Sequence, residues 1–196
     1  VTLRVTALCQ NEEEGERLAR PMIGEIIARL GAIVYSTVGE SLPETCARML
    51  KDDGQTLAVA ESCTGGMVAS ELVAIPGCST FLLEGCVTYS DAAKVARLGV
   101  KQETLDQFGA VSEQCAREMA EGMRRTSGAD YALATTGYAG PDGGTEENPV
   151  GTIYIAIARQ GETLVKRISL FGDRARIREI ATLHAFDMLR RKLCLD

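Results

Sequence analysis

The passage from Thr56 to Gly66 constrains this chain most. Its apolar run Leu57-Ala58-Val59-Ala60 breaks at once into Glu61-Ser62-Cys63-Thr64-Gly65-Gly66, and helical spacing then begins. A short run that is apolar on both faces reads as a strand buried within a sheet, and a buried strand feeding a helix through a glycine turn is a building block of α/β folds. The pattern predicts a strand over 56–60 and a helix from about Gly66 to Val73.

The same alternation continues along the chain. Ser41 with Glu44 three residues later forms a capping-box signature for a helix that turns Cys46, Met49 and Leu50 inward and stops near Gly54. A strand is expected near Cys86 to Tyr89, then a helix from Asp91 with Ser90 as its cap. Ser112 and Gly128 bracket a further helix carrying Ala116, Met119, Ala120 and Met123. Strands are expected at Tyr131 to Thr136, Thr152 to Ala158 and Thr163 to Phe171, and a long helix from about Arg174. Alternating elements of this kind predict a three-layer α/β/α sandwich, in which ligands sit beyond the carboxyl ends of the strands.

The first 38 residues read differently. Val1, Leu3, Val5 and Ala7 alternate with Thr2, Arg4 and Thr6, the period of a half-buried strand. Leu18, Met22, Ile23, Ile26, Ile27 and Leu30 follow at helical spacing, with Pro21 marking a first turn or a kink and Gly31 a stop. A strandlet is expected at Ile33 to Tyr35. These few elements bury too little surface to stand alone, so residues 1–38 are expected to be the remnant of a small α+β linking domain, with the main domain over 41–196. The absence of an initiator methionine at Val1 agrees with an excised fragment of a longer protein.

Composition excludes several classes. The chain carries 21 Lys+Arg against 27 Asp+Glu, a net charge of −6, and no basic run. That removes the electrostatic footprint of a general nucleic-acid or anionic-membrane binder. No apolar run reaches membrane-spanning length. Seven unpaired-looking cysteines without any C-x-x-C spacing read as reduced cytoplasmic thiols. With His184 as the one histidine, a Cys/His metal site and histidine-based catalysis are both disfavoured. His184 falls among Ile177, Ile180, Ala181 and Met188, as a core or interface histidine would.

Four stretches carry candidate chemistry. At the first, unpartnered helical N–H groups and the helix dipole can hold a phosphate or an oxyanion, and Ser62 is the natural nucleophile; Ser62 or Thr64 serving only as a helix cap is the alternative. Ala60 and Thr64 occupy the glycine positions of the G-x-S-x-G elbow, so that fold is not implied, and Cys63 lacks an evident base. In the second, Thr88-Tyr89-Ser90-Asp91-Ala92-Ala93-Lys94, a lysine stands near the positive end of a helix. A cation is disfavoured there, and a lysine that sheds its proton can act as a general base; a solvated lysine beside a core-edge tyrosine is the alternative.

The third stretch, Thr135 to Gly151, holds five glycines between two strands, more than a hairpin requires. It reads as a ligand-covering loop or as a merely mobile connection. In the fourth, Arg174, Arg176 and Arg178 crowd the start of the last helix. Positive charge there makes sense if one arginine, Arg174 first, grips a phosphate or carboxylate while the others face water or pair with Glu179.

At these residues the sequence resembles a known family. AESCTGG at 60–66, VTYSDAAK at 87–94, GAVSE at 109–113 and TGYAGPDGGTEENPVGT at 136–152 resemble the CinA C-terminal domain over about residues 41–193, and the preceding segment resembles the end of the CinA linking domain. The resemblance implies a three-layer sandwich with a mixed sheet and an amidase that converts nicotinamide mononucleotide to nicotinic acid mononucleotide and ammonia, without metal or other cofactor. It places the nucleophile on Ser62, the catalytic lysine on Lys94 and the assisting tyrosine on Tyr89. Substrate contacts fall on Cys63, Thr64 and Gly65, on Gly77 and Ser79 of a PGSS-like turn, on Thr136, Gly137 and Gly140, and on Arg174. Cys78 stands where serine is common, and Tyr138 where isoleucine is usual. The expected partners are the nucleotide and further copies of the chain, with no nucleic acid and no membrane. A nucleotide-binding regulatory module that lacks hydrolysis is the alternative function.

Overall fold

Five segments extend as strands: β1 (Leu57–Glu61), β2 (Leu82–Val87), β3 (Tyr131–Gly137), β4 (Thr152–Arg159) and β5 (Glu162–Ser169). In the computed structural model, which describes residues 1–195, they form one sheet in the order β2-β1-β3-β4-β5. β1 runs parallel to both β2 and β3, whereas β4 and β5 complete the sheet antiparallel. The sheet is therefore mixed, and the fold is α/β.

Side-chain size differs between its two faces. Leu57, Val59, Leu133, Ile153, Ile155 and Ile157 point to one side, into a core shared with helices α2 (Leu42–Asp52), α3 (Met67–Val73) and α7 (Arg174–Leu193). Ala58, Ala60, Ala132, Ala134, Ala156 and Ala158 line the other side, beneath α6 (Glu113–Ser127) with its Met119 and Met123. Small residues on the sheet let α6 approach closely, as dense packing requires. Between Ser90 and α6 lie a single turn, α4 (Asp91–Ala93), a π-helical turn over Lys94–Leu98, and α5 (Gln102–Phe108), a helix the sequence reading did not anticipate.

Local signals explain most boundaries. The Ser41 and Glu44 capping box forms, with the Ser41 N–H donating to Glu44 Oε2 at 2.7 Å. Ser112 Oγ accepts from the Cys115 N–H, and Gly128 ends α6 at a φ of 73°. β2 lies at Leu82–Val87 rather than 86–89 because it is an edge strand with every second residue exposed, and Glu84 and Gly85 mask it in the sequence. Glu84 is occupied by Arg97 of the π-helical turn, and Gly85 admits α3, whose Ala69 Cβ would stand 2.9 Å from an added Cβ.

By contact, residues Val1–Glu40 form a unit separate from the one beginning at Ser41. The first unit is helical. It contains α1 (Glu12–Leu30), capped by Asn11 and carrying Pro21 inside the helix rather than in a first turn, and a 3-10 turn at Gly31–Ile33. The strands expected at 1–7 and 33–35 do not form, so among the described residues this segment is not α+β. A strand needs a hydrogen-bonded neighbour, and all five strands described follow residue 56. Asp196, at the end of the expected second domain, lies outside the described residues.

Gly122 marks the closest approach of α6. A Cβ placed there would lie 1.8 Å from the Leu98 carbonyl oxygen. Gly122→Ala should lower stability by about 2 kcal/mol through overpacking, despite the better helix propensity of alanine, with an unchanged urea m-value. Equilibrium urea denaturation measures this; an equally or more stable variant would contradict the packing described.

Candidate active site at the carboxyl edge of the sheet

The chain leaves β1 for β2 on one side and later returns to place β3 on the other, so the strand order reverses at β1. In open α/β sheets this reversal, at the carboxyl ends of the strands, is where ligands bind. The ladder runs one residue beyond the end of β1: the Ser62 N–H donates to the Thr135 carbonyl at 3.0 Å, and the Thr88 N–H to the Glu61 carbonyl at 2.8 Å. Ser62 thus stands between Thr88 and Thr136 on the neighbouring strands. All three continue the residues that face α6, since Ala60, Cys86 and Ala134 pack on that side.

The turn after Ser62 is built by a buried carboxylate. Glu61, 1% exposed, accepts from the N–H groups of Gly66 at 2.9 Å, Val68 at 3.1 Å and Ala69 at 2.8 Å. The cap of α3 is therefore Glu61, not Ser62 or Thr64, which releases the Ser62 hydroxyl from the role that competed with catalysis. Gly65 and Gly66 take φ values of 63° and 94°, the left-handed region that favours glycine. Thr64 Oγ1 pairs with Thr135 Oγ1 at 2.7 Å, and Arg178 of α7 donates to the Thr64 carbonyl at 2.8 Å. The Gly65 N–H is used by the Ser62 carbonyl. The expected oxyanion donors over 63–65 thereby contract to the N–H groups of Cys63 and Thr64, which have no oxygen partner among the described residues.

Lys94 is brought to the same edge. Its side chain is 1% exposed, with Nζ donating to the Tyr89 carbonyl at 3.2 Å and 3.6 Å from Asp91 Oδ1. Tyr89 itself is exposed, and its hydroxyl accepts from Arg174 at 2.8 Å. A second Arg174 nitrogen donates to the Gly140 carbonyl at 2.7 Å, so this arginine ties the tyrosine to the glycine-rich loop. Thr136 Oγ1 donates to the Ala110 carbonyl at 2.7 Å, and the Asn148 side chain reaches the Val111 carbonyl and the Tyr154 hydroxyl. Gly137 has no room for a side chain, since a Cβ would meet Ile153 Cδ1 at 2.4 Å. Gly77 and Ser79 are not brought to this site. They precede β2, and the neighbouring Phe81 carbonyl accepts from Leu57 at the start of β1, so they lie at the opposite edge of the sheet.

Comparison with known proteins agrees with this architecture. The model of the CinA C-terminal domain matches residues 39–193. The chain belongs to the CinA C-terminal domain family. A putative competence-damage inducible protein of Clostridium perfringens (strain ATCC 13124) is 49% identical over 193 residues, covering 98% of this chain and 47% of that protein. A CinA-like protein of Kosmotoga olearia is 47% identical over the same length and coverage. The chain spans about half the length of the curated relatives it matches. The crystal structure of a CinA superfamily protein from Klebsiella pneumoniae 700603 aligns with a TM-score of 0.77 at 40% identity, covering 79% of this chain and 97% of that one.

In this CinA domain, chemistry separates Ser62 from its neighbour. Burial pushes the Cys63 thiol up to about 12, beyond what the nearby N–H groups and Thr135 offset. Burial likewise raises Cys115, on the first turn of α6, to about 12, against the opposing pull of the Lys94 charge. His184 is pushed down by burial and by Lys166, and it lies on α7. Sequence reasoning missed Glu61 and Arg178: the first falls just past the strand expected at 56–60, and the second is read as facing water or pairing with Glu179 while Arg174 takes the ligand.

The thiolate is the reactive form of cysteine, so Cys63 should stay inert to iodoacetamide in the folded protein from pH 7 to 9, while exposed Cys9 and Cys194 alkylate first. Peptide mapping of the alkylated protein checks this. Labelling of Cys63 at the rate of Cys194 would contradict the burial described.

Proposed function

We propose that this domain is a nicotinamide-nucleotide amidase, hydrolysing the carboxamide of nicotinamide mononucleotide to nicotinic acid mononucleotide and ammonia through a Ser62 nucleophile. The observation that carries the reading is the burial of Lys94 at the edge where Ser62 is presented. On this reading the Lys94 amine takes the hydroxyl proton as Ser62 attacks. The N–H groups of Cys63 and Thr64 then receive the oxyanion, ammonia departs, and water resolves the ester. Arg174 spends two of its five N–H groups on Tyr89 and Gly140 and keeps three for the nucleotide phosphate. On this reading the protein works in the cytoplasm on a free nucleotide, and its closing loop is the glycine-rich segment anchored at Gly140.

Ammonia release from the purified protein tests this directly. Ser62→Ala should lower turnover by roughly 10⁴-fold or more, and Lys94→Met should lower kcat by roughly 10²-fold or more with little change in KM. Turnover that survives Ser62→Ala would contradict the reading. A folded protein that binds the nucleotide without releasing ammonia would favour the regulatory module, and a Lys94 variant raised in KM alone would make this lysine a phosphate ligand.

A further inference from the structure

Thr88 is 2% exposed, and its Oγ1 has no hydrogen-bond partner among the described residues. A buried hydroxyl left unpaired costs about 1–3 kcal/mol, so its retention calls for a physical reason. Thr152 carries an orphaned hydroxyl too, but on β4, two strands from β1. Thr88 stands one strand from Ser62. The ladder bond from its N–H to the Glu61 carbonyl sets it in register beside Ser62, and adjacent strands lie about 4.8 Å apart. Its side chain continues the face of Glu84, which pairs with Arg97, and of Cys86, which packs toward α6. The next residue, Tyr89, supplies the carbonyl that holds Lys94 Nζ.

We propose that the Thr88 hydroxyl is the positioning group of the leaving-group subsite, a role that rests on the amidase reading. A hydroxyl both donates and accepts, so one group can serve the two halves of the reaction. In acylation it accepts from the carboxamide nitrogen and orients it. Ser62 Oγ bonds to the carbonyl carbon, the carbon–nitrogen bond breaks, and the proton that Lys94 took from Ser62 passes to the departing nitrogen, releasing ammonia.

Deacylation reverses the geometry, so water enters where ammonia left. Its oxygen bonds to the acyl carbon and the bond from that carbon to Ser62 Oγ breaks. One water proton passes through Lys94 to Ser62 Oγ, and the other ionises from the acid product. Thr88, in register beside Ser62, holds the nitrogen first and the water second.

The test compares Thr88→Val and Thr88→Ser with the wild-type chain in ammonia release and in thermal melting. Thr88→Val keeps the shape and removes the hydroxyl. Its kcat should fall by roughly 10²-fold, as when one preorganised hydrogen-bonding group is lost, while its melting temperature stays level or rises because an unpaired polar group has gone. Thr88→Ser should restore most of kcat. Unchanged kcat in Thr88→Val would overturn the proposal, as would a lower melting temperature with no rescue by serine, which marks a packing role. A wild-type chain that releases no ammonia would remove the underlying amidase reading and this role with it, an outcome distinct from a fully active Thr88→Val.

Discussion

A buried carboxylate organises the site. Glu61 ends the central strand and turns back to receive three N–H groups from the start of α3, which fixes the path of the five intervening residues. Burying a carboxylate is costly unless donors surround it, and here the helix supplies them together with the positive end of its dipole. Two consequences follow. Ser62 is freed from capping, and the helix end that a sequence reading assigns to a ligand is already occupied. The N–H groups of this turn that the Ser62 carbonyl and Glu61 leave without an oxygen partner are those of Cys63 and Thr64.

The unequal faces of the sheet place the remaining groups. Large residues on one face bind α2, α3 and α7, and α7 sends Arg178 to the Thr64 carbonyl and Arg174 to Tyr89. Alanines on the other face admit α6 and the π-helical turn that begins at Lys94. The lysine thus reaches the strand ends from one layer while the arginines reach them from the other. The site is a product of both layers, and a change in either packing shifts it.

Much of this was legible in the sequence, for physical reasons that differ by element. β1 and the turn after it are encoded locally, by a run apolar on both faces and by glycines with left-handed backbones. α2 and α6 announce themselves through Ser41 with Glu44 and through Ser112 with Gly128, whose capping bonds form within four residues. β2 was displaced because an exposed edge strand tolerates Glu84 and Gly85. The alternation over 1–7 misled because period two describes a face, and only a partner strand makes it a ladder. Ser62, Tyr89, Lys94, Thr136, Gly137, Gly140 and Arg174 stand at or around the carboxyl edge, while Gly77 and Ser79 do not, since proximity in a motif order carries no information on which end of a parallel strand a turn occupies. Glu61 and Arg178 act through contacts made only in the folded chain.

The central claim is that Ser62 carries the acyl group of the substrate. Acid-quenching the protein during turnover of nicotinamide mononucleotide, followed by peptide mapping by mass spectrometry, tests it most directly. The account predicts a nicotinyl mononucleotide ester on the peptide containing Ser62. An acyl adduct on Cys63, or on any residue other than Ser62, would contradict it.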